Sequence, residues 1–137
     1  MQESNQRNLL DTYGLLLFLQ KEGPYQVIKT LFRDAQNQKN PILLNEMSVG
    51  EVFHVTARTH SMEKAEAFLP LLEVLPMEIV SNDLDNILRA ARINSKYSLG
   101  YVRALIAATA EKENAVLLTG DPEFHKLEGV VPIRWLD

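Results

Sequence analysis

The sequence AVLLTGDP at residues 115–122 is an apolar run that ends on an aspartate, Asp121, and a helical pattern follows it. The sequence NLLDT at residues 8–12 has the same form around Asp11, near the other end of the chain. Each segment predicts a buried strand that carries a carboxylate at its carboxyl end. In a parallel α/β sheet, ligands lie just outside the carboxyl ends of the strands. The two segments together predict an acidic site at one edge of such a sheet.

The rest of the chain alternates between short strand patterns and helical patterns, which is typical of a parallel α/β sheet. Strands are predicted at residues 7–11, 41–44, 76–80, 114–118 and 130–133. Helices are predicted at residues 13–19, 25–35, 47–56, 61–72, 83–93 and 99–112. Ser61 is predicted to cap the fourth helix, and Ser81 or Asn82 the fifth. We expect the sheet to use only part of the apolar faces of the helices at 25–35 and 61–72, which leaves a groove or a dimer surface.

Length and composition limit the class of protein. A chain of 137 residues is of ordinary size for one domain. It has no cysteine, which excludes disulfides, thiolate zinc sites and a cysteine nucleophile, and suits the cytoplasm. No apolar run approaches the ~20 residues of a membrane span, and the polar N-terminus does not have the pattern of a secretory signal. The net charge of −4 argues against a nonspecific nucleic-acid coat, but a nuclease with a locally basic groove remains open.

A third acid, Glu51, lies in the predicted helix that follows the second strand, among apolar neighbours. An acid in such a helix needs a partner or a metal. Mg²⁺ and Mn²⁺ prefer carboxylate oxygens, and such an ion assists phosphodiester cleavage. Asp11, Glu51 and Asp121 are therefore candidate metal ligands and catalytic residues. The hydroxyl of Thr119 lies two residues before Asp121, where it could position a water or a phosphate.

Each candidate also has a purely structural interpretation. Asp11 could cap the helix that follows it, and Asp121 could do the same, since Pro122 suits the first helical position. Glu51 alone could be a salt-bridged helix residue. The three histidines have no metal-ligand spacing and are expected on the surface or in packing positions: His54, His60 and His125.

Taken together, the segments resemble the PIN-domain ribonucleases, and among them the VapC-like toxins of prokaryotic toxin–antitoxin pairs. Four segments carry the resemblance: LLDT at 9–12, NEMSVGE at 45–51, YSLGYVRALIAATA at 97–110 and AVLLTGDPEF at 115–124. The resemblance implies a three-layer α/β/α sandwich around a parallel sheet of about five strands. It also implies endoribonuclease activity with Mg²⁺ or Mn²⁺, an antitoxin partner and a homodimer.

The resemblance assigns the family's first, second and last acids to Asp11, Glu51 and Asp121, and its small hydroxyl residue to Thr119. Thr12 is placed in the same pocket. The third acid is missing, because Arg103 stands where the family has aspartate. A guanidinium there could form a bidentate ion pair with Asp11 or Asp121 and so take the electrostatic place of the metal.

Arg103 leaves two functions open. The first is a metal-dependent ribonuclease of the toxin type, attenuated by the missing ligand. The second is a catalytically degenerate PIN fold that binds RNA or protein without cleaving it. A phosphoacceptor receiver domain shares the acidic sheet edge, but it needs an aspartate at the end of the third strand, where this chain has Val80 and Ser81.

Overall fold

The computed structural model describes residues 6–136 of the chain. Within them, five strands are present: β1 (Asn8–Leu10), β2 (Ile42–Asn45), β3 (Met77–Val80), β4 (Val116–Thr119) and β5 (Ile133–Trp135). The seven helices are α1 (Thr12–Gln20), α2 (Tyr25–Gln38), α3 (Glu46–Thr59), α4 (Met62–Phe68), α5 (Leu71–Val74), α6 (Leu84–Tyr97) and α7 (Tyr101–Lys112). A 3₁₀ turn at Pro122–Leu127 follows β4.

All five strands are parallel, in the order β3-β2-β1-β4-β5. The first strand is central and pairs with both β2 and β4, so that Leu10 lies beside Leu44 and Leu118. The predicted parallel α/β sheet is confirmed. Because β1 and β4 are neighbours, the residues that follow them come out at the same edge of the sheet.

Successive residues of the central strands belong to different hydrophobic cores. Leu10, Leu44 and Leu118 pack with residues of α1, α2 and α3 on one face. Leu9, Leu43 and Leu117 pack with α7 and the 3₁₀ turn on the other. This is the period of two that strand geometry imposes, with apolar residues on both faces as in buried parallel sheets. The expected three-layer α/β/α sandwich is therefore confirmed.

The predicted helix at 61–72 is wrong in its continuity. Ser61 caps α4 as predicted, because its hydroxyl accepts from the Lys64 N–H at 3.1 Å. The helix ends at Phe68, and a separate turn of helix, α5, begins after Pro70. Proline has no N–H to donate and crowds the preceding turn, which explains the break.

The predicted cap of α6 is also wrong. Neither Ser81 nor Asn82 caps the helix; Asp83 does, through a 2.8 Å bond from the Asn86 N–H to its carboxylate. Asn82 instead hydrogen-bonds to the side chain of Asn45. Any of these three polar residues suits a helix start by type, so that the sequence alone could not distinguish them.

The fifth strand was predicted at 130–133 but lies at Ile133–Trp135. The backbone N–H groups of Val130 and Val131 both bond to the Leu127 carbonyl, which turns that part of the chain away from the sheet. Ile133 then pairs with Leu117, and Trp135 with Thr119. Val130 and Val131, which were predicted to begin the strand, belong to the turn that precedes it.

The apolar face of α2 is fully used by the core, through Ile28, Leu31, Phe32 and Ala35. The expectation that this helix leaves apolar surface for a dimer is therefore wrong. The region of α4 and α5 does leave such surface, at Met62, Leu69 and Val74. Among residues 6–136, no helix has both the length and the apolar character needed to cross a bilayer.

Candidate functional site

The site lies at the carboxyl edge of the sheet, where β1 and β4 end side by side. Asp11 follows β1 directly, and its N–H bonds to the Leu118 carbonyl of β4 at 3.3 Å. Asp121 follows β4 after Gly120. The third strand end at this edge, that of β2, runs straight into α3, the helix that carries Glu51. Short connections in this topology thus deliver three acids to one edge.

Asp11 is buried, with 1% of its surface exposed, and both of its oxygens accept hydrogen bonds. One oxygen caps α1 through the Gly14 N–H at 2.8 Å, so the capping interpretation is confirmed. The other accepts from the hydroxyl of Thr119 in a short hydrogen bond. The pKa of Asp11 is raised from 3.8 to about 7, mainly by burial; the two hydrogen bonds offset part of this rise, and the charge of Asp121 adds to it.

Glycine at position 14 is required by the way α1 begins. A Cβ there would lie 2.5 Å from the Leu10 Cδ1 and 3.2 Å from the Asp11 carboxylate oxygen that caps the helix. Any side chain would therefore push on the capping bond and on the core of the sheet. Gly14 allows the helix backbone to approach the acid closely.

Thr119 is fully buried and connects the two aspartates. Its hydroxyl donates to Asp11 and accepts from the Asp121 N–H at 2.9 Å. The Thr119 hydroxyl therefore links the Asp11 carboxylate to the backbone at Asp121.

We expect Thr119→Val to lower the free energy of unfolding by about 1–3 kcal/mol, because it leaves a buried carboxylate oxygen and a backbone N–H without a partner. Urea denaturation would measure the loss. Thr119→Ser, which keeps the hydroxyl, should recover most of it. Thr30→Val on the exposed side of α2 is the matched control and should change little. Equal stability of the Thr119→Val and Thr30→Val proteins would contradict the buried bridge.

Glu51 is half-buried and held by a hydroxyl. The Thr12 hydroxyl donates to Glu51 at 2.7 Å and also lies 3.0 Å from the Ser48 hydroxyl. The expectation of a mainly buried α3 holds only in part, because Ser48 and Val52 are its two buried residues. Glu51 has a hydrogen-bonding partner as expected, and within residues 6–136 that partner is not a cation.

Arg103 points to Asp121 from the first turn of α7. Its Nε donates to Asp121 at 2.7 Å, and one terminal nitrogen donates to the Leu99 carbonyl at 3.3 Å. Burial would lower the pKa of Arg103, but the hydrogen bond and charge of Asp121 outweigh it, so its pKa lies above the usual value. Of the two partners expected, the structure shows Asp121, held through one nitrogen and not as a bidentate pair.

Asp121 is a cap as well as an ion-pair partner. Its other oxygen accepts from the Glu123 N–H at 3.1 Å at the start of the 3₁₀ turn, where Pro122 occupies the first position. The capping interpretation is confirmed here too. Its side chain is 15% exposed, whereas that of Arg103 is 43% exposed. The ion pair is therefore partly open to solvent.

These groups line a cavity of about 320 Å³, formed by Thr12, Glu51, Gly100, Tyr101, Val102, Arg103, Ile106, Asp121 and Phe124. Gly100 has φ of +92°, where a side chain would be strained, and turns the chain into α7 beside the cavity. Gly100 and the half-exposed Tyr101 were not predicted as wall residues. Their positions three and two residues before Arg103 were the available signal. Asp11 is buried behind this wall and is not among the lining residues.

The donor chemistry suits Mg²⁺ or Mn²⁺, but the arrangement does not fit such an ion as it stands. No group of three or more histidine, aspartate or glutamate side chains in residues 6–136 is placed to hold a metal. Both oxygens of Asp11 and both of Asp121 already accept from protein donors. The cation that contacts Asp121 is the guanidinium of Arg103. The three histidines are exposed and lie outside the pocket, as expected.

A family model described as the PIN domain matches residues 9–130. Among curated protein sequences, no match to the chain is found. The sequence relationship therefore rests on the family pattern as a whole.

Several solved structures share the fold. VapBC2 from Rickettsia felis, bound to a DNA fragment from its promoter, is similar over 96% of this chain and 100% of its own, with 18% identity and a TM-score of 0.75. A toxin–antitoxin complex from Klebsiella pneumoniae covers 93% and 95%, with 17% identity and a TM-score of 0.69. VapC20 of Mycobacterium tuberculosis, a sarcin–ricin loop cleaving toxin, covers 80% and 86%, with 14% identity and a TM-score of 0.63.

Proposed function

This chain belongs to the PIN-domain family, and from that premise we propose that it is a metal-dependent endoribonuclease of the VapC toxin type whose activity is attenuated by Arg103. One observation carries the proposal: Thr12, Glu51 and Asp121 line a single pocket at the carboxyl edge of the sheet, with Asp11 and Thr119 directly behind it. The similarity in fold to a toxin that cleaves the sarcin–ricin loop supports RNA as the substrate.

Attenuation follows from the charge in the pocket. Mg²⁺ and Mn²⁺ are bound through several carboxylates with substrate phosphate and water. Here the missing third acid lowers the negative charge, and the guanidinium of Arg103 bonds directly to Asp121. A divalent cation must compete with that guanidinium for the same carboxylate. Weak metal binding and slow cleavage are the expected result.

The partners of this function are part of the proposal. Similarity to a toxin–antitoxin complex supports a cognate antitoxin protein. A homodimer is proposed from the family resemblance, with the exposed Met62, Leu69 and Val74 as apolar surface. Light scattering of the purified chain would measure its oligomeric state. The cytoplasm is the proposed location, where an RNA substrate and an antitoxin are both encountered.

The Arg103–Asp121 ion pair also favours a second candidate, a degenerate PIN fold that binds RNA or protein without cleavage. The two functions differ in one observable. The attenuated nuclease cleaves RNA slowly, with a rate that rises with Mn²⁺ concentration, whereas the binding module does not cleave at any Mn²⁺ concentration.

We expect the chain to cleave single-stranded RNA slowly in Mn²⁺, and Glu51→Gln to slow that cleavage at least about tenfold, a loss of ~1.4 kcal/mol of transition-state stabilisation. The amide keeps an oxygen for the Thr12 hydroxyl but removes the charge from the pocket. Gel electrophoresis of a labelled RNA would measure the rate. Glu66→Gln, on an exposed position of α4, is the matched control. Cleavage that Glu51→Gln leaves unchanged would point to a contaminating nuclease and reject the proposal.

A further inference from the structure

Helix α6 carries all three of its cations on one face. Asp85, Arg89, Arg92 and Lys96 follow one another at intervals of four, three and four residues, which places them in one row along the helix. Three of the four are cations, although the chain as a whole has a net charge of −4. The row therefore has a net positive charge on a chain whose net charge is negative.

Ion pairs compensate only the first part of this row. Arg89 bonds to Asp85 at 2.9 Å and to Glu111 of α7 at 3.2 Å. Arg92 and Lys96 are exposed, and within residues 6–136 neither has a carboxylate within 4.0 Å. The end of α6 nearest Tyr97 thus keeps two uncompensated positive charges.

These cations lie along a groove, not on a flat surface. The groove has a volume of about 470 Å³, and its charged residues are Asp85, Arg89, Arg92, Lys96 and Glu111. Its other walls are aromatic or apolar: Ile93, Tyr97 and Val130. The Lys96 ammonium lies 5.4 Å from the centre of the Tyr97 ring. Cations along a groove with an aromatic wall are the features with which proteins bind single-stranded nucleic acid without sequence preference.

The groove and the pocket are separated by only a short piece of chain. Tyr97 lines the groove, and Gly100 and Tyr101 line the pocket. Four peptide steps span at most about 14 Å, so the two sites are near neighbours on the surface. Lys126 lies at this junction, where its ammonium bonds to the Ser98 carbonyl at 3.1 Å. A strand held in the groove can therefore continue into the pocket.

Helix-end electrostatics do not explain the whole row. A cation in the last turn of a helix is favourable because the helix dipole is negative there, and this applies to Lys96. Arg92 lies one turn earlier, where the effect has largely decayed. An acidic peptide would satisfy the two charges but would gain less than a nucleobase from the ring of Tyr97.

We propose that this groove binds the backbone phosphates of single-stranded RNA, and that the same strand continues into the pocket lined by Glu51 and Arg103. The inference rests on the proposed function for the identity of the ligand as RNA. It does not rest on cleavage, because binding is measured without a metal.

The test compares two double variants with the parent. Arg92→Gln with Lys96→Gln removes the uncompensated charges, and Lys29→Gln with Arg33→Gln is the matched control, with the same spacing and charge change on the exposed side of α2. Fluorescence anisotropy of a short labelled single-stranded RNA, in EDTA over a range of salt, gives the affinity and its salt dependence. We expect the first pair to weaken binding roughly 10- to 100-fold at low salt and to reduce the salt slope by about 1.4, corresponding to two phosphates. The control pair should leave both nearly unchanged.

Three results would overturn the inference, and they differ in whether they also reject the proposed ribonuclease function. If the parent binds the RNA and the two double variants bind equally, the groove is rejected and the proposed ribonuclease is untouched. If the parent binds no RNA, RNA as substrate is rejected with it. If a labelled oligoglutamate binds as tightly as the RNA and loses as much affinity in the Arg92→Gln, Lys96→Gln protein, the groove is a general polyanion site. Thermal melting of both double variants checks that they are folded.

Discussion

We expect Arg103→Asp to increase RNA cleavage in Mn²⁺ at least about tenfold over the parent chain, which requires only ~1.4 kcal/mol of added transition-state stabilisation. The substitution removes the guanidinium from Asp121 and frees the oxygen that Nε now occupies. It also adds a carboxylate to the pocket lined by Glu51 and Asp121, at the position where the family resemblance implies a third acid. Both changes favour a divalent cation.

Metal affinity should change in parallel with the rate. Without metal, Arg103→Asp should lower the stability of the protein, because carboxylates that lie close together repel one another. Mn²⁺ should then raise the melting temperature of the variant more than that of the parent, because a ligand that binds the folded state stabilises it by linkage. Differential scanning fluorimetry over a Mn²⁺ titration measures this shift.

Two controls separate the causes. Arg134→Asp makes the same change in net charge at an exposed position of β5 and should reproduce neither effect. Arg103→Ala removes the cation without supplying a carboxylate, so its cleavage rate shows how much of the gain comes from freeing Asp121. Equal Mn²⁺-induced shifts and equal cleavage rates for the parent and Arg103→Asp would show that Arg103 does not occupy the place of the metal.

Asp11 should make the metal-free protein less stable as the pH rises. Its pKa is about 7 in the folded protein and 3.8 in the reference state, so between these values the folded state binds more protons than the unfolded state. The free energy of unfolding therefore falls as pH increases through this window. The difference between these two pKa values corresponds to roughly 4 kcal/mol of folding stability. This stability is fully present below pH 3.8 and is lost above pH 7.

The variant Asp11→Asn isolates this contribution. Urea denaturation in EDTA at about pH 4, 6 and 8 should show the difference in stability between variant and parent shifting by roughly 4 kcal/mol in favour of the variant. Hydrogen bonds from the Asn86 N–H and from Lys126 lower the pKa values of Asp83 and Glu123, but these effects are shared by both proteins and cancel in the difference. Asp34→Asn on the exposed side of α2 is the control. A difference that does not change with pH would contradict the burial of an ionisable Asp11.

The sheet could be predicted from the sequence because its three central strands, β2, β1 and β4, are apolar on both faces. Leu9 and Leu10 belong to opposite cores, and so do Leu117 and Leu118, so each strand appears as a continuous apolar run ending on a polar residue. The reliance on apolar composition also explains why the predicted position of the fifth strand was wrong. Val130 and Val131 have the composition of a strand, but the backbone bonds to Leu127 place them in a turn.

The candidate site could be predicted only as a set of residues. Helix-cap chemistry offered a capping role for Asp11 and Asp121 as the alternative to metal binding, and the structure shows both caps. The sequence could not decide which of them Arg103 contacts, because that depends on where the first turn of α7 lies relative to β4. The basic row of α6 was not predicted, although the spacing of Arg89, Arg92 and Lys96 contains the signal for it. Its significance depends on which charges find a partner, and that is a property of the folded chain.

The capping roles of Asp11 and Asp121 mean that their presence says little about enzymatic activity. Each carboxylate caps the start of a helical segment, so it has a structural role that does not depend on catalysis. Position 103 does not cap a helix, since the residue that caps α7 is Gly100, which has no side chain. A PIN domain drifting away from catalysis would therefore be expected to change this acid first and the two caps last. Among relatives of this fold, the residue at position 103 should be a better guide to function than the two aspartates.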